Sequence, residues 1–225
     1  MFEDLKNQID FFIRNKTRFS RRNFVEKDPQ ILERNRLENL YIKDLLENSF
    51  HKKTQNSLKV LDIGCKNWFY AKGEYNFFNK FCPEIQMDGI EIDAYRLYSN
   101  FYSRYEVAKY YISGLKGVKY IAGNLLDLNQ KYNYITWFLP FVIEDPHIYW
   151  GLPKKYFTPE KMLLHAYSLL EKDGQMLIIN QGEEEFELQK ELLNKLNIPY
   201  KTLGEIFNKY SLYKHKRFGI IINKP

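Results

Sequence analysis

Cysteine is scarce in this chain, and glycine is missing from the place where it would be most telling. The only thiols are Cys65 and Cys82, too few to staple a small secreted scaffold, so a reducing, cytoplasmic setting is expected. The opening Met1-Phe2-Glu3-Asp4-Leu5 has neither a basic n-region nor an apolar h-region. The longest apolar run, 134–143, falls short of the roughly 20 residues that cross a bilayer, so no membrane association is expected. The four histidines, His51, His147, His165 and His215, lack ligand spacing, and no zinc site is expected. A hard-cation site built on Asp145 and Asn180 would lack a further carboxylate, since Gln181 follows. There is no nucleophile elbow for Ser-His-Asp chemistry, and no repeat or low-complexity tract.

What is present is a foldable composition: 225 residues, 44% hydrophobic and 17% aromatic, far from the signature of disorder. The net charge of +6 invites a nucleic-acid reading. Lysine is spread along the whole chain, however, and the two local clusters, Arg18-Phe19-Ser20-Arg21-Arg22-Asn23-Phe24 and Tyr213-Lys214-His215-Lys216-Arg217, read as solvated loops.

Residues 1–57 contain no strand-like run. Leu32, Leu37, Leu40, Tyr41, Leu45 and Leu46 mark an amphipathic helix over 28–49 with Asp28-Pro29 as cap and first turn, and a shorter helix is expected over 2–13. This segment is expected to be a helical extension on an α/β domain of residues 58–225. From Lys59 strands and helices alternate. Lys59-Val60-Leu61-Asp62-Ile63-Gly64-Cys65 is a buried strand running into a tight turn, and Asp88-Gly89-Ile90-Glu91-Ile92-Asp93 is a second strand ending in acid. Helices are expected over 71–81, over 97–112 on the stripe Leu97, Phe101, Tyr105, Ala108 and Ile112, from Thr158-Pro159 to just before Gly174, and over 183–196. Further strands are expected at 118–122, 134–139, 175–180, 200–203 and 218–222. In such open sheets ligands bind beyond the carboxyl ends of the strands, with a glycine for close approach and an acid for ribose hydroxyls. The pairing of Gly64 with Glu91 therefore points to a nucleoside-containing ligand.

Alternating β and α elements with two closing strands, together with Asp62-Ile63-Gly64-Cys65-Lys66-Asn67-Trp68, resemble the class I S-adenosylmethionine-dependent methyltransferase family over residues 59–225. The resemblance implies a Rossmann-like seven-stranded sheet, mostly parallel with an antiparallel last strand and helices on both faces, and S-adenosyl-L-methionine as cofactor. It assigns Asp62, Gly64 and Cys65 to the methionine side of the cofactor. Glu91 falls to the ribose with Asp93 as second choice, Asn124 and Leu125 fall to the adenine with Asp127 as fallback, and Leu139 belongs to the methyl-transfer pocket. Lys66 and Trp68 stand where the family has glycines, and the turn survives if Lys66 takes a negative φ.

Dinucleotide binding is a rival reading, but Gly64 is the only glycine between 62 and 72, and the Gly-x-Gly-x-x-Gly pattern is missing. A degenerate cofactor-binding module without catalysis is the other alternative. The segment 141–153 is the expected substrate wall. Glu144, Asp145 and His147 are the candidate bases, although a plain turn with an exposed His147 fits the sequence equally, and Tyr149 and Trp150 read as packing residues. The Asp/Asn-Pro-Pro-aromatic motif of nucleobase amine methylation is absent at Leu139-Pro140-Phe141-Val142. The acceptor is unidentified, with a small molecule favoured over RNA or protein, and oligomeric state is open.

Overall fold

The computed structural model describes residues 2–18, 22–51 and 56–225. Two helices come first, α1 (Phe2–Thr17) and α2 (Pro29–Ser49), followed by β1 (Ser57–Ile63), α3 (Ala71–Phe78), β2 (Glu84–Glu91), α4 (Arg104–Tyr111) and β3 (Val118–Ala122). The second half comprises β4 (Tyr132–Phe138), α5 (Glu144–Tyr149), α6 (Pro159–Leu169), β5 (Leu170–Gln181), α7 (Gly182–Lys195), β6 (Lys201–Glu205) and β7 (Arg217–Asn223). Part of the basic cluster at 18–24, residues 19–21, lies outside the described residues. No helix among the described residues is long and apolar enough to cross a membrane.

The strands form one sheet in the order β3-β2-β1-β4-β5-β7-β6. β1 to β5 are parallel, and β7 runs against both β5 and β6. Strand order reverses between β1 and β4, and the carboxyl ends of those strands mark the crevice where open α/β sheets bind ligands. Side chains alternate across the pleat. Val60, Met87, Tyr134, Leu177 and Ile221 pack with Tyr41, Leu45 and Leu46 of α2 and Phe77 and Phe78 of α3. Leu61, Ile90, Ile135, Met176, Ile178 and Ile220 pack on the other face with Leu163, Ala166 and Leu169 of α6 and Leu193 of α7.

Three expectations are corrected. The helix read over 97–112 begins only at Arg104. Leu97 bridges Ser103, Phe101 takes φ 63° in a turn and is 69% exposed, and Ser103 caps α4 by accepting from Glu106 N while the Glu106 carboxylate accepts from Ser103 N. That reciprocal box is a strong start signal, and it overrides an apolar period that begins about two turns too early. The helix at Thr158-Pro159 ends at Leu169, because Leu170 already pairs with Tyr132 as the start of β5. Residues 144–149 form the short helix α5 rather than a plain turn.

Candidate active site

The turn after β1 sets the geometry. Gly64, Lys66 and Trp68 all have positive φ, 71°, 56° and 46°. The condition of a negative φ at Lys66 is not met, and the chain takes the left-handed form at both positions where a glycine would be easiest. For a residue with a Cβ this costs about 1–2 kcal/mol, and neighbouring strands hold it. Gly64 N and Cys65 N donate to Ile90 O at 2.9 and 3.3 Å, and the Tyr120 hydroxyl donates to Lys66 O at 2.5 Å. Lys66 N donates to Glu91 Oε2 at 2.9 Å. Trp68 does not enter the crevice. It is wholly buried against Gly89 of β2, where a Cβ would sit 2.6 Å from the indole, and its Nε1 donates to Glu74 Oε2 at 2.7 Å.

Asp62 lies beneath this turn, fully buried, and does not line the cavity. Its Oδ2 accepts from the Tyr70 hydroxyl at 2.8 Å. Thr136 Oγ1 stands 3.2 Å from Asp62 Oδ1 and 2.9 Å from Glu74 Oε1. One hydroxyl hydrogen cannot serve both carboxyls and Leu61 O, 3.4 Å away, so the arrangement favours a protonated carboxyl in the pair. Burial is the first cause that raises both acids, Asp62 well above the usual carboxylate range and Glu74 to about 7. Asp62 thus fixes Tyr70 and the turn rather than reaching a ligand. Cys65 is likewise fully buried and off the cavity wall, its thiol pushed up by burial.

Glu91 is on the wall. Its two oxygens are aligned by backbone N–H groups, Oε2 by Lys66 and Oε1 by Asp93 at 2.8 Å, and Arg104 Nη1 lies 3.5 Å from Oε1. Each oxygen keeps acceptor capacity. Arg104 also lines the cavity, and its buried Nε has no partner among the described residues. Asp93 is not free for a ribose. It is 1% exposed and is engaged by Arg14 Nε at 3.0 Å, by Arg96 Nε at 2.5 Å and by Arg104 Nη1 at 3.5 Å, so it ties α1 to the end of β2.

The cavity is about 860 Å³ and runs along the carboxyl edge of the sheet. Gly64, Glu91, Asn124, Leu125, Leu139 and His147 all line it. Asn124 caps the short turn Leu125–Asp127, its Oδ1 accepting from Leu126 N at 3.1 Å. Asp127 lies with Asn124, Gly123 and Phe12 of α1 in a smaller adjoining pocket. Leu139 has φ 57° and donates its N–H to Ile179 O at 2.7 Å. Lys66 and Leu139 thus put two strained non-glycine residues on one cavity wall, and such strain clusters at functional sites.

Of the three candidate bases, only His147 lines the cavity. Glu144 pairs with Lys154 at 2.8 Å, and Asp145 is exposed. His147 is buried, contrary to the exposed alternative. Its Nε2 stands 3.0 Å from Pro153 O, which can only accept, so Nε2 carries hydrogen and Nδ1 is the basic nitrogen. Burial lowers its pKa, favouring the neutral ring. Tyr149 and Trp150 are both exposed, 81% and 42%, rather than packed in the core, and both line the cavity, with Lys66 Nζ 5.2 Å from the Trp150 ring centre. Glu38, Glu74, Arg104 and Arg217 escape the sequence reading. Only Arg217 carried a signal, as the last residue of a basic cluster set aside as a loop.

No protein-family model matches the chain. Over 159 residues, 71% of the chain, it is 27% identical to the ribosomal RNA small subunit methyltransferase C of Vibrio parahaemolyticus, and it spans 40% of that protein's length. Among solved structures, a SAM-dependent methyltransferase from Aquifex aeolicus superposes with a TM-score of 0.57 at 16% identity, covering 89% of this chain and 100% of that one. A cyclopropane-fatty-acyl-phospholipid synthase-like protein from Lactobacillus casei gives a TM-score of 0.62 at 8% identity, covering 89% and 95%. The order and sense of its seven strands, the acid closing β2 and these likenesses agree: the chain has the Rossmann-like fold of the class I S-adenosylmethionine-dependent methyltransferases.

Proposed function

We propose that this chain transfers a methyl group from S-adenosylmethionine to a small-molecule acceptor, working in a reducing, cytoplasmic compartment consistent with two free buried thiols. The observation that carries the reading is Glu91, held by two backbone N–H groups on the cavity wall at the end of β2, beside a left-handed turn and next to Asn124 at the end of β3. The residues fit the donor. Trp68 is packed away under the turn and leaves the crevice open, and Glu91 has lone pairs for a ribose diol. Arg104 supplies a further polar side chain on the wall.

When bound, the sulfonium supplies an activated methyl group, and the protein's task is alignment and exclusion of water. The turn 64–68 would seat the methionine portion, Glu91 the ribose, and Asn124 with Leu125 the adenine. Leu139, Pro140 and Phe141 would line the transfer point, and His147 would take a proton from an acceptor through Nδ1. Residues 1–57 act in this reading as a helical extension on the α/β domain, with α2 walling the site and α1 bordering the smaller adjoining pocket.

The degenerate-module alternative rests on Lys66 and Trp68. It loses ground because the backbone at both already has the conformation that glycine would supply. RNA is the alternative acceptor, since the curated relative is named for ribosomal RNA, and the aromatic wall of Phe141, Trp150 and Phe157 favours a small molecule. Thermal-shift measurements with S-adenosylhomocysteine and with NAD test the donor. The first raises the melting temperature and the second does not, because only a ligand of the folded state stabilises it. A shift with NAD alone would refute the reading. RNA binding that falls steeply with salt would replace the small acceptor.

A further inference from the structure

The cavity extends well beyond the strands that would hold a nucleoside. At about 860 Å³ it is near the top of the range of about 300–1,000 Å³ for small-ligand pockets. Its second half lies over the ends of β4 and β5 and the start of β7, under α2, and is lined by Glu38, Tyr41, Gln181, Tyr213 and Arg217. Two opposite charges sit in that wall, both more than nine-tenths buried: Glu38 at 2% exposure and Arg217 at 6%.

Buried charges of opposite sign ordinarily pair directly, because leaving either alone in a low-dielectric wall is costly. These two do not. Among the described residues no acid lies within ion-pair distance of Arg217, and Tyr213 stands between the two charges. The Tyr213 hydroxyl donates to Glu38 Oε2 at 3.0 Å, and its ring lies 4.3 Å from the Arg217 guanidinium carbon. Arg217 Nη1 donates to Gln181 Oε1 at 2.6 Å, and Glu185, the other acid near it, accepts from Gln181 N at 2.8 Å. Glu38 Oε1 has no partner at all among the described residues. Two residues that line the cavity thus keep unused capacity, Glu38 in one carboxylate oxygen and Arg217 in most of its five-donor guanidinium fork, and a guanidinium matches a carboxylate in shape. Arg34 at the exposed rim and Glu185 balance each other in sign, so the local field selects neither a pure cation nor a pure anion.

We infer that this half of the cavity binds a small aminocarboxylate, with its ammonium or N–H group on Glu38 and its carboxylate on Arg217. The assignment rests on the methyl-transfer reading, within which the aminocarboxylate is the acceptor. Tyr213 is the positioning residue that keeps the two charges apart.

The test uses the full chain saturated with S-adenosylhomocysteine and titrated calorimetrically with each protein amino acid. Each amino acid that binds is compared with its decarboxylated amine and its deaminated acid. At least one amino acid should bind, and each truncated analogue should bind about tenfold more weakly or worse, the loss of one charge-assisted hydrogen bond. Arg217→Gln should abolish discrimination against the amine, and Glu38→Gln discrimination against the acid. If either variant fails to fold, the analogue comparison on the native chain decides. Truncated analogues that bind as tightly as the amino acid, or discrimination that survives both substitutions, would overturn the assignment. A chain that binds S-adenosylhomocysteine but no amino acid refutes the aminocarboxylate site alone. One that binds an amino acid but not S-adenosylhomocysteine upholds the site and refutes the methyl-donor reading.

Discussion

At the residue scale, Trp68 explains how a bulky side chain can stand where the turn wants glycine. The missing Cβ is supplied elsewhere, at Gly89, whose bare backbone accepts the indole face. Gly89→Ala should therefore destabilise the fold by about 1–3 kcal/mol, the usual cost of overpacking, read as a lower denaturant midpoint at unchanged slope. Neither residue signals this from the sequence, because complementary packing between 68 and 89 has no local pattern. The buried Asp62 and Glu74 pair was also invisible, since one acid lies on a strand and the other on a helix. Both have folded pKa values above their unfolded ones. The folded pair then binds more protons than the unfolded chain, and its contribution to stability falls as pH rises from about 4.5 to about 7. Melting temperature measured across that window should fall less steeply in Glu74→Gln than in the native chain. Parallel profiles would mean that the shared proton is absent.

At the element scale, local chemistry was legible where it was written in neighbouring residues. Asp28-Pro29 starts α2, and Asp28 Oδ1 accepts from Gln30 N as its spacing implied. The same kind of signal at Ser103 and Glu106 was overlooked in favour of an apolar stripe, and the helix starts at the cap. Ser103→Ala should cost about 0.5–2 kcal/mol, as lost caps do, with α4 the element whose amides exchange faster. The docking of α2 on α3 was not legible. It depends on Gly73, whose N–H donates to Asn39 Oδ1 at 2.6 Å and whose missing Cβ would strike the Asn39 carbonyl. Gly73→Ala should push α2 outward. Because α2 carries Glu38, any acceptor site under it should weaken in the same variant, seen by calorimetry as weaker amino acid binding.

At the scale of the whole molecule, the hydrophobic runs and the acid at the end of β2 were enough to read the strands and the ligand-binding edge, the family resemblance implied their mostly parallel sense, and the strand order came only with the structure. Buried parallel strands have a period that survives any surface change, and topology follows from alternation with helices. The candidate site was legible only in part. Glu91, Gly64, Asn124, Leu125, Leu139 and His147 meet at one cavity. Asp62, Cys65 and Asp93 support its walls from behind, and Glu144 and Asp145 lie off it. Motifs give position along the chain, whereas side-chain direction is decided by packing across the sheet.

The central claim is that Glu91 grips the ribose of an adenosyl ligand, and calorimetric titration of the native chain and of Glu91→Ala with S-adenosylhomocysteine tests it most directly. The native chain should bind, and the variant should lose at least about 1 kcal/mol of affinity, the lower range for removing a hydrogen-bonded charge. Equal affinity in the two proteins, or no binding by the native chain, would contradict the account.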